Sequence, residues 1–205
     1  FLVPLPTPKI FLGPAYIVTD GKMVSELSKE VAFIGQGIVL WVIPFSLVIM
    51  LALAFIVAII MYRTKYGRHV IATGGNPDAA MVSGISVDKI KISVYTIMGV
   101  CAALGGIVLT GRTALATAGA GDGMEMDAIA AVVIGGTPMS GGKVKVGGTI
   151  FGCLTMGIMN NLLNLAGVSS FWQNVAKGCI IILAILLDAQ TEAFFNRRRK
   201  TSVIN

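Results

Sequence analysis

The sequence predicts an all-α fold, a polytopic bundle of transmembrane helices, and three observations lead to that prediction. The 205-residue chain is 55% hydrophobic, with a mean hydropathy of +0.84. Only 13% of its residues are charged, against about 25% in an ordinary soluble domain. Its 25 glycines are typical of helices that pack closely in a membrane.

Four apolar runs predict full spans, because a membrane helix needs about 20 apolar residues. These runs are residues 38–62, 92–111, 146–166 and 171–187. Pro44 lies near one end of the first run, where a kink is tolerated. Before the first run, Pro4, Pro6, Pro8 and Pro14 argue against a regular helix at the start of the chain. Residues 16–27 then read as an outward loop that turns at Asp20-Gly21.

The basic residues predict which loops face the cytoplasm. Loop 63–91 contains five Lys or Arg residues and the tail 189–205 contains four in a row, so both are expected inside. Loop 112–127 is acidic and is expected outside. Two full spans after an outside loop would leave the basic tail outside. A fifth, shorter segment at 128–138 must therefore also cross, as a broken helix surrounded by protein.

The glycine-rich stretch "GGTPMSGGKVKV", residues 135–146, resembles a phosphate-binding loop only superficially. Thr137 stands where the first glycine of a P-loop belongs, and Val144 stands where the magnesium-binding hydroxyl belongs. We interpret the stretch as the end of the broken helix, where it either lines a substrate path or makes a tight turn. Small residues at helix-packing spacing occur in three pairs: Ala102 and Gly106, Ala131 and Gly135, and Gly148 and Gly152.

The sequence offers no set of residues for catalysis, metal binding or cofactor binding. Cys101, Cys153 and Cys179 all lie in apolar runs and are expected to be packing residues. His69 is the only histidine and lies in a basic loop. The net charge of +6 is spread between and after the spans, so we do not expect nucleic-acid binding.

Loop 63–91 predicts a short helix between two spans. Asn76 is expected to cap it, Pro77 to occupy its first position, and Gly84 to end it. Asp78 lies in the first turn, where the helix dipole favours negative charge, and Ala79 and Ala80 are expected to leave a smooth surface. Such a helix suits docking into a partner's groove, and an ordinary connector is the alternative. A second cap is expected at Ser86.

Polar residues within the predicted spans are candidates for a translocation path. Asn160, Asn161 and Asn164 are the first set, with interhelical hydrogen bonding as the alternative. Lys177 is ionisable within a span and so is either a functional residue or one that extends outward past Trp172. Glu125 and Asp127 border the outward mouth, where they contact a partner or cap the short helix.

Three stretches carry a family resemblance. "GGNPDAAMVSGI" resembles the coupling loop of bacterial ABC importer permeases, a relative of the EAA-x3-G loop. "MEMDAIAAVVIGGTPMSGGKVKVGGTIFG" and "LNLAGVSSFWQNVAKGCIIILAILLD" resemble the ribose-type, monosaccharide-importing members of that family. The resemblance covers residues 16–188, whereas the first 15 residues fit poorly. Because the family's chains are longer at the N-terminus, we expect a C-terminal fragment of one permease domain.

The resemblance implies a permease in the bacterial inner membrane, with its C-terminus in the cytoplasm. It implies three protein partners: an ATPase subunit, an external sugar-binding protein, and a second or sister permease. It assigns the ATPase contact to five residues: Asn76, Asp78, Ala79, Ala80 and Gly84. ATP is then held by the partner, so this chain is not expected to be an enzyme. The alternative function is an ATP-independent secondary transporter or channel, for which we expect a carboxylate deep in a span.

Overall fold

The computed structural model describes residues 7–25, 27–39, 42–169, 171–180 and 182. In chain order the elements are α1 (Thr7–Thr19), α2 (Lys29–Gln36), β1 (Ile38–Val39), β2 (Ile43–Pro44), α3 (Phe45–Arg63), α4 (Lys65–Gly75), α5 (Pro77–Val82), α6 (Val87–Thr113), α7 (Met124–Ile134) and α8 (Val146–Leu165). Residues 171–180 are also helical and are called α9 here. The predicted all-α membrane bundle is confirmed.

Among the described residues, three helices are long and apolar enough to cross a membrane: α3, α6 and α8. They correspond to the first three predicted spans. The fourth predicted span, 171–187, begins with α9, and the remainder lies largely outside the described residues, as does the tail 189–205. Large apolar side chains along these helices are exposed, which suits helices that face lipid.

Two predictions near the start of the chain are wrong. Helix α1 runs through Pro14, although the prolines argued against it. Pro8 lies in the first turn, where no hydrogen bond is lost, and Pro14 removes only one. The first span begins at Phe45 rather than at residue 38, because Ile38 pairs with Pro44 in a small antiparallel hairpin. Proline disfavours helical backbone in the preceding residue, which keeps Ile43 extended.

The chain divides into two compact units. The first comprises Phe1–Ile56 and Ile92–Asp122, and the second comprises Val57–Lys91 and Gly123–Asn205. In the first unit α2 packs on α6 through glycine: a Cβ added at Gly35 would lie 2.6 Å from the Gly111 Cα. The predicted turn at Asp20-Gly21 is confirmed, since both residues adopt positive φ and the Lys22 amide donates to the Thr19 carbonyl at 2.8 Å.

In the second unit α7 and α8 pack against each other through small residues. Gly135 abuts Gly148, and Gly152 abuts Ala131, so two of the predicted small-residue pairs face each other. Ala130, Ala131 and Met156 form the buried core between the helices. A Cβ added at Gly106, from the third pair, would meet nothing within 4 Å.

The short segment predicted at 128–138 forms a helix, α7, which is 11 residues long, and its crossing of the membrane stays a prediction. It begins at Met124, four residues earlier than predicted, and ends at Ile134. Gly136 adopts a φ of +78°, and the Thr137 amide donates to the Val132 carbonyl at 3.2 Å. Left-handed glycine backbone of this kind ends a helix and satisfies its last carbonyl groups. The glycines that follow α7 therefore end it at about half the length that a helix needs to cross a bilayer.

Candidate functional site

The short helix α5 forms as the sequence predicts. The Asn76 side chain accepts a hydrogen bond from the Ala79 amide at 3.0 Å, and Pro77 occupies the first helical position. Gly84 adopts a φ of +83°, and the Ile85 amide donates back to the Ala80 carbonyl at 3.0 Å. Both ends of a six-residue helix are therefore fixed by local bonds. The Ile90 amide donates to the Ser86 carbonyl at 3.1 Å, where α6 begins.

The exposed surface of α5 differs from the expected one. Ala80 is only 3% exposed, so its side chain packs α5 against the protein and does not contribute to a docking surface. Asp78 and Ala79 are exposed, as predicted. Met81 and Val82 are exposed as well, Val82 at 92%, and sequence reasoning missed them. The face that a partner could reach is therefore acidic at its start and apolar at its end.

The glycine-rich loop 135–145 touches the end of α4, just before α5. A Cβ added at Gly141 would overlap the Gly74 carbonyl, and one added at Gly142 would lie 3.0 Å from the Gly75 Cα. Gly141 and Gly142 both adopt positive φ, +84° and +75°. Two backbones thus meet where no side chain fits, which explains these glycines without any nucleotide.

Tyr62 at the end of α3 joins the same contact. Its hydroxyl donates to the Val144 carbonyl at 3.2 Å and accepts from the Val146 amide at 3.0 Å. Loops 63–91 and 135–145 therefore lie at the same end of the second unit. These two loops carry the basic residues from which the sequence predicts the cytoplasmic side, and that orientation stays a prediction: Arg63, Lys65, Arg68, Lys89, Lys91, Lys143 and Lys145.

At the other end of α7, three polar side chains from three helices meet. The Lys177 ammonium on α9 lies 2.9 Å from Oδ2 of Asp127 on α7. Asn160 on α8 donates from Nδ2 to the same oxygen at 3.4 Å. Lys177 and Asp127 are 21% and 25% exposed. This ion pair was not predicted: the Lys177 side chain turns to a carboxylate on a neighbouring helix.

The remaining asparagines of α8 have different surroundings. Asn164 accepts at Oδ1 from the Gln173 side chain on α9 at 2.9 Å, and Gln173 also donates to the Val168 carbonyl at 2.8 Å. Asn161 is exposed. Asn160 and Asn164 share a helix face and both make the interhelical hydrogen bonds that we gave as the alternative. Among the described residues there is no group of three or more His, Cys, Asp or Glu that could hold a metal ion.

The described helices define a class: a polytopic membrane protein of packed apolar helices. Residues 8–185 match the family described as "Branched-chain amino acid transport system / permease component", so the chain belongs to that family. The match confirms the resemblance seen in the sequence.

The curated relatives narrow the class. The chain is 42% identical over 195 residues to the ribose import permease protein RbsC of Bacillus subtilis, covering 94% of this chain and 60% of that protein. It is 49% identical over 128 residues to RbsC of Escherichia coli, covering 62% and 40%. It is 39% identical over 150 residues to the xylose transport system permease protein XylH of Haemophilus influenzae, covering 73% and 40%. The chain thus spans about 60% or less of the length of these relatives, and no solved structure matches it.

Proposed function

We propose that the chain is part of the permease subunit of an ATP-binding-cassette importer in the bacterial inner membrane, and that it forms the path for a ribose-like monosaccharide. A separate ATPase subunit supplies the energy, an external binding protein delivers the sugar, and a second permease completes the path. The relatives' names support the sugar class, since two are ribose permeases and one is a xylose permease.

The observation that carries the coupling to an ATPase is the geometry of α5. It is a short helix between two spans, capped by Asn76 at its start and by Gly84 at its end. A rigid element is required here, because a flexible one would absorb the movement that it has to transmit. The exposed part of the proposed contact is Asn76, Asp78, Ala79 and Gly84, and Ala80 holds the helix in place.

The contact between Gly74–Gly75 and Gly141–Gly142 is proposed to transmit the movement of α5 to the rest of the second unit. It joins the backbone just before α5 to the loop between α7 and α8. Two flexible side chains can change rotamer when their segments move, so their contact transmits little movement. Two backbones in direct contact have no such freedom, and one segment cannot move without displacing the other. Movement of α5 is therefore passed to α7, α8 and the polar residues proposed for the path: Asn160, Asn161, Asn164 and Lys177.

The alternative, an ATP-independent transporter, draws support from one observation: Asp127 is a partly buried carboxylate paired with Lys177. Ionisable residues of this kind mark ion pathways in some transporters. Uptake of radiolabelled ribose separates the two functions, in host cells whose own copy is deleted and replaced by the wild-type gene. The cells also lack the ATP synthase, so that a protonophore collapses the gradient without draining ATP. Our proposal expects uptake to stop when arsenate depletes ATP and to persist when a protonophore collapses the ion gradient. The opposite pattern would establish the alternative.

The same cells test the coupling helix. Asp78→Lys reverses the charge on the exposed start of α5 and should reduce uptake at equal membrane abundance. Asp88→Lys is the matched control, because Asp88 is equally an exposed carboxylate in the first turn of a helix, α6, in the same loop. Equal uptake by both variants would place the ATPase contact elsewhere.

A further inference from the structure

The Asp127 cluster has unequal hydrogen bonding at its two carboxylate oxygens. Lys177 and Asn160 both donate to Oδ2. Oδ1 of Asp127 is buried and meets no donor among the described residues, and the same holds for Oδ1 of Asn160. The orientation of the Asn160 amide is set by its neighbour, since a flipped amide would point oxygen at a carboxylate. Two buried acceptors therefore lie in one cluster without a donor.

Buried acceptors without donors are costly, and native proteins rarely leave them so. The missing partner must supply a hydrogen-bond donor to these oxygens. Its charge is also restricted, because Asp127 and Lys177 already balance each other. A second cation would leave net positive charge in a region of low dielectric. A neutral hydroxyl group meets both conditions.

The position of the cluster suits a ligand in transit. Asn160 lies about 8 Å from the end of α8 at Leu165, at ~1.5 Å of rise per residue. Asp127 lies in the first turn of the short helix α7. Both residues are at the opposite end of the α7–α8 pair from the glycine loop, whose basic residues predict the cytoplasmic side.

We infer that Asp127 and Asn160 form a binding site for a hydroxyl group of the transported sugar, with Lys177 as the counter-ion that holds the carboxylate in the span. The inference rests on the proposed function and deepens it. Lys177 is a positioning residue: it fixes Oδ2 and leaves Oδ1 for the ligand. A buried water molecule offers the same O–H donor, so the test separates sugar from water.

The test compares uptake of ribose with uptake of its 2-deoxy, 3-deoxy and 5-deoxy analogues, in the host cells described above. A site that bonds a substrate hydroxyl rejects an analogue that lacks it. The quantity measured is the ratio of ribose uptake to analogue uptake, which does not depend on how much protein reaches the membrane. Selection by the binding protein is the same in every strain and cancels when variants are compared.

For Asn160→Ala we expect this ratio to fall for one analogue, by roughly threefold to tenfold, the usual worth of a hydrogen bond. The double variant Asp127→Asn, Lys177→Gln keeps the charge balance and the side-chain sizes, and should lower the ratio for the same analogue. Thr155→Ala is the control, because Thr155 is an exposed polar residue of the same helix whose hydroxyl donates to the Phe151 carbonyl at 2.8 Å. Its ratios should equal those of the wild type.

Three outcomes are distinguishable. A fall in the ratio of ribose uptake to analogue uptake, confined to one analogue, supports the sugar site. An equal loss of uptake for ribose and all three analogues, with every ratio unchanged, means that water or structure alone occupies the cluster and overturns the inference while the proposed function stands. Absence of ribose uptake in the wild-type strain overturns the proposed function and, with it, this site.

Discussion

The packing of α7 on α8 predicts that one added methyl group at Gly152 destabilises the protein. A Cβ placed there would lie 2.8 Å from the Ala131 carbonyl carbon and 3.2 Å from the Ala131 Cα, and would also overlap the carbonyl oxygen. Carbon atoms in favourable contact are about 3.5–4.0 Å apart. Because the atoms opposite belong to the backbone, they cannot rotate away, and the helices must separate by about 1 Å.

The size of the effect follows from a comparison with a second glycine of the same helix. Gly157 also lies within α8, is exposed, and has nothing within 4 Å of an added Cβ. Gly152→Ala and Gly157→Ala share the gain in helix propensity, about 1 kcal/mol. They differ by the overlap, which costs about 1–3 kcal/mol when a packed site is overfilled.

Thermal unfolding of the purified permease in one detergent measures this difference. At roughly 2–4 °C per kcal/mol for a chain of this size, Gly152→Ala should unfold at least about 2 °C below Gly157→Ala. Gly157→Ala should unfold at or above the wild-type temperature. Equal midpoints for the two variants would refute the close α7–α8 contact.

Three further predictions concern the loops and the ion pair. Asn76→Ala removes the cap of α5 at a cost of about 1 kcal/mol, so hydrogen exchange of the α5 amides should accelerate about fivefold. Asn76→Asp keeps the cap and should leave the exchange rate unchanged. Gly141→Ala should lower the unfolding temperature more than Gly167→Ala, because both have left-handed backbone but only Gly141 abuts another backbone; equal losses would contradict the contact. Asp127→Asn and Lys177→Met should each lower the free energy of unfolding. The loss in the double variant should be smaller than the sum of the two single losses by about 0.5–3 kcal/mol. Additive losses would show that the side chains do not interact.

The features that the sequence predicted well depend on local chemistry. Asn76, Pro77 and Gly84 act within α5 itself, so their roles follow from residue type and spacing. The presence of a short apolar segment at α7 was also predictable from the sequence, whereas the extra crossing inferred from the charge bias of the loops stays a prediction. Small residues along α7 and α8 indicated close packing, although not which of them meet.

The features that the sequence did not predict depend on contacts between distant segments. Lys177 and Asp127 are 50 residues apart, and only the packing of their helices brings their side chains together. The burial of Ala80 depends likewise on neighbours beyond α5. The pairing of Ile38–Val39 with Ile43–Pro44 was missed because a run of apolar residues fits a strand as well as a helix.

The central claim is that α5 contacts an ATPase, and photo-crosslinking in native membranes tests it most directly. A photoreactive phenylalanine replaces Val82, the most exposed apolar residue of α5, and in a control strain it replaces Phe151, which is exposed on α8. We expect position 82 to cross-link to a protein with ABC ATPase sequence motifs and position 151 not to do so. Cross-linking of the ATPase by position 151 alone, or by neither position in cells that import ribose, would contradict this claim.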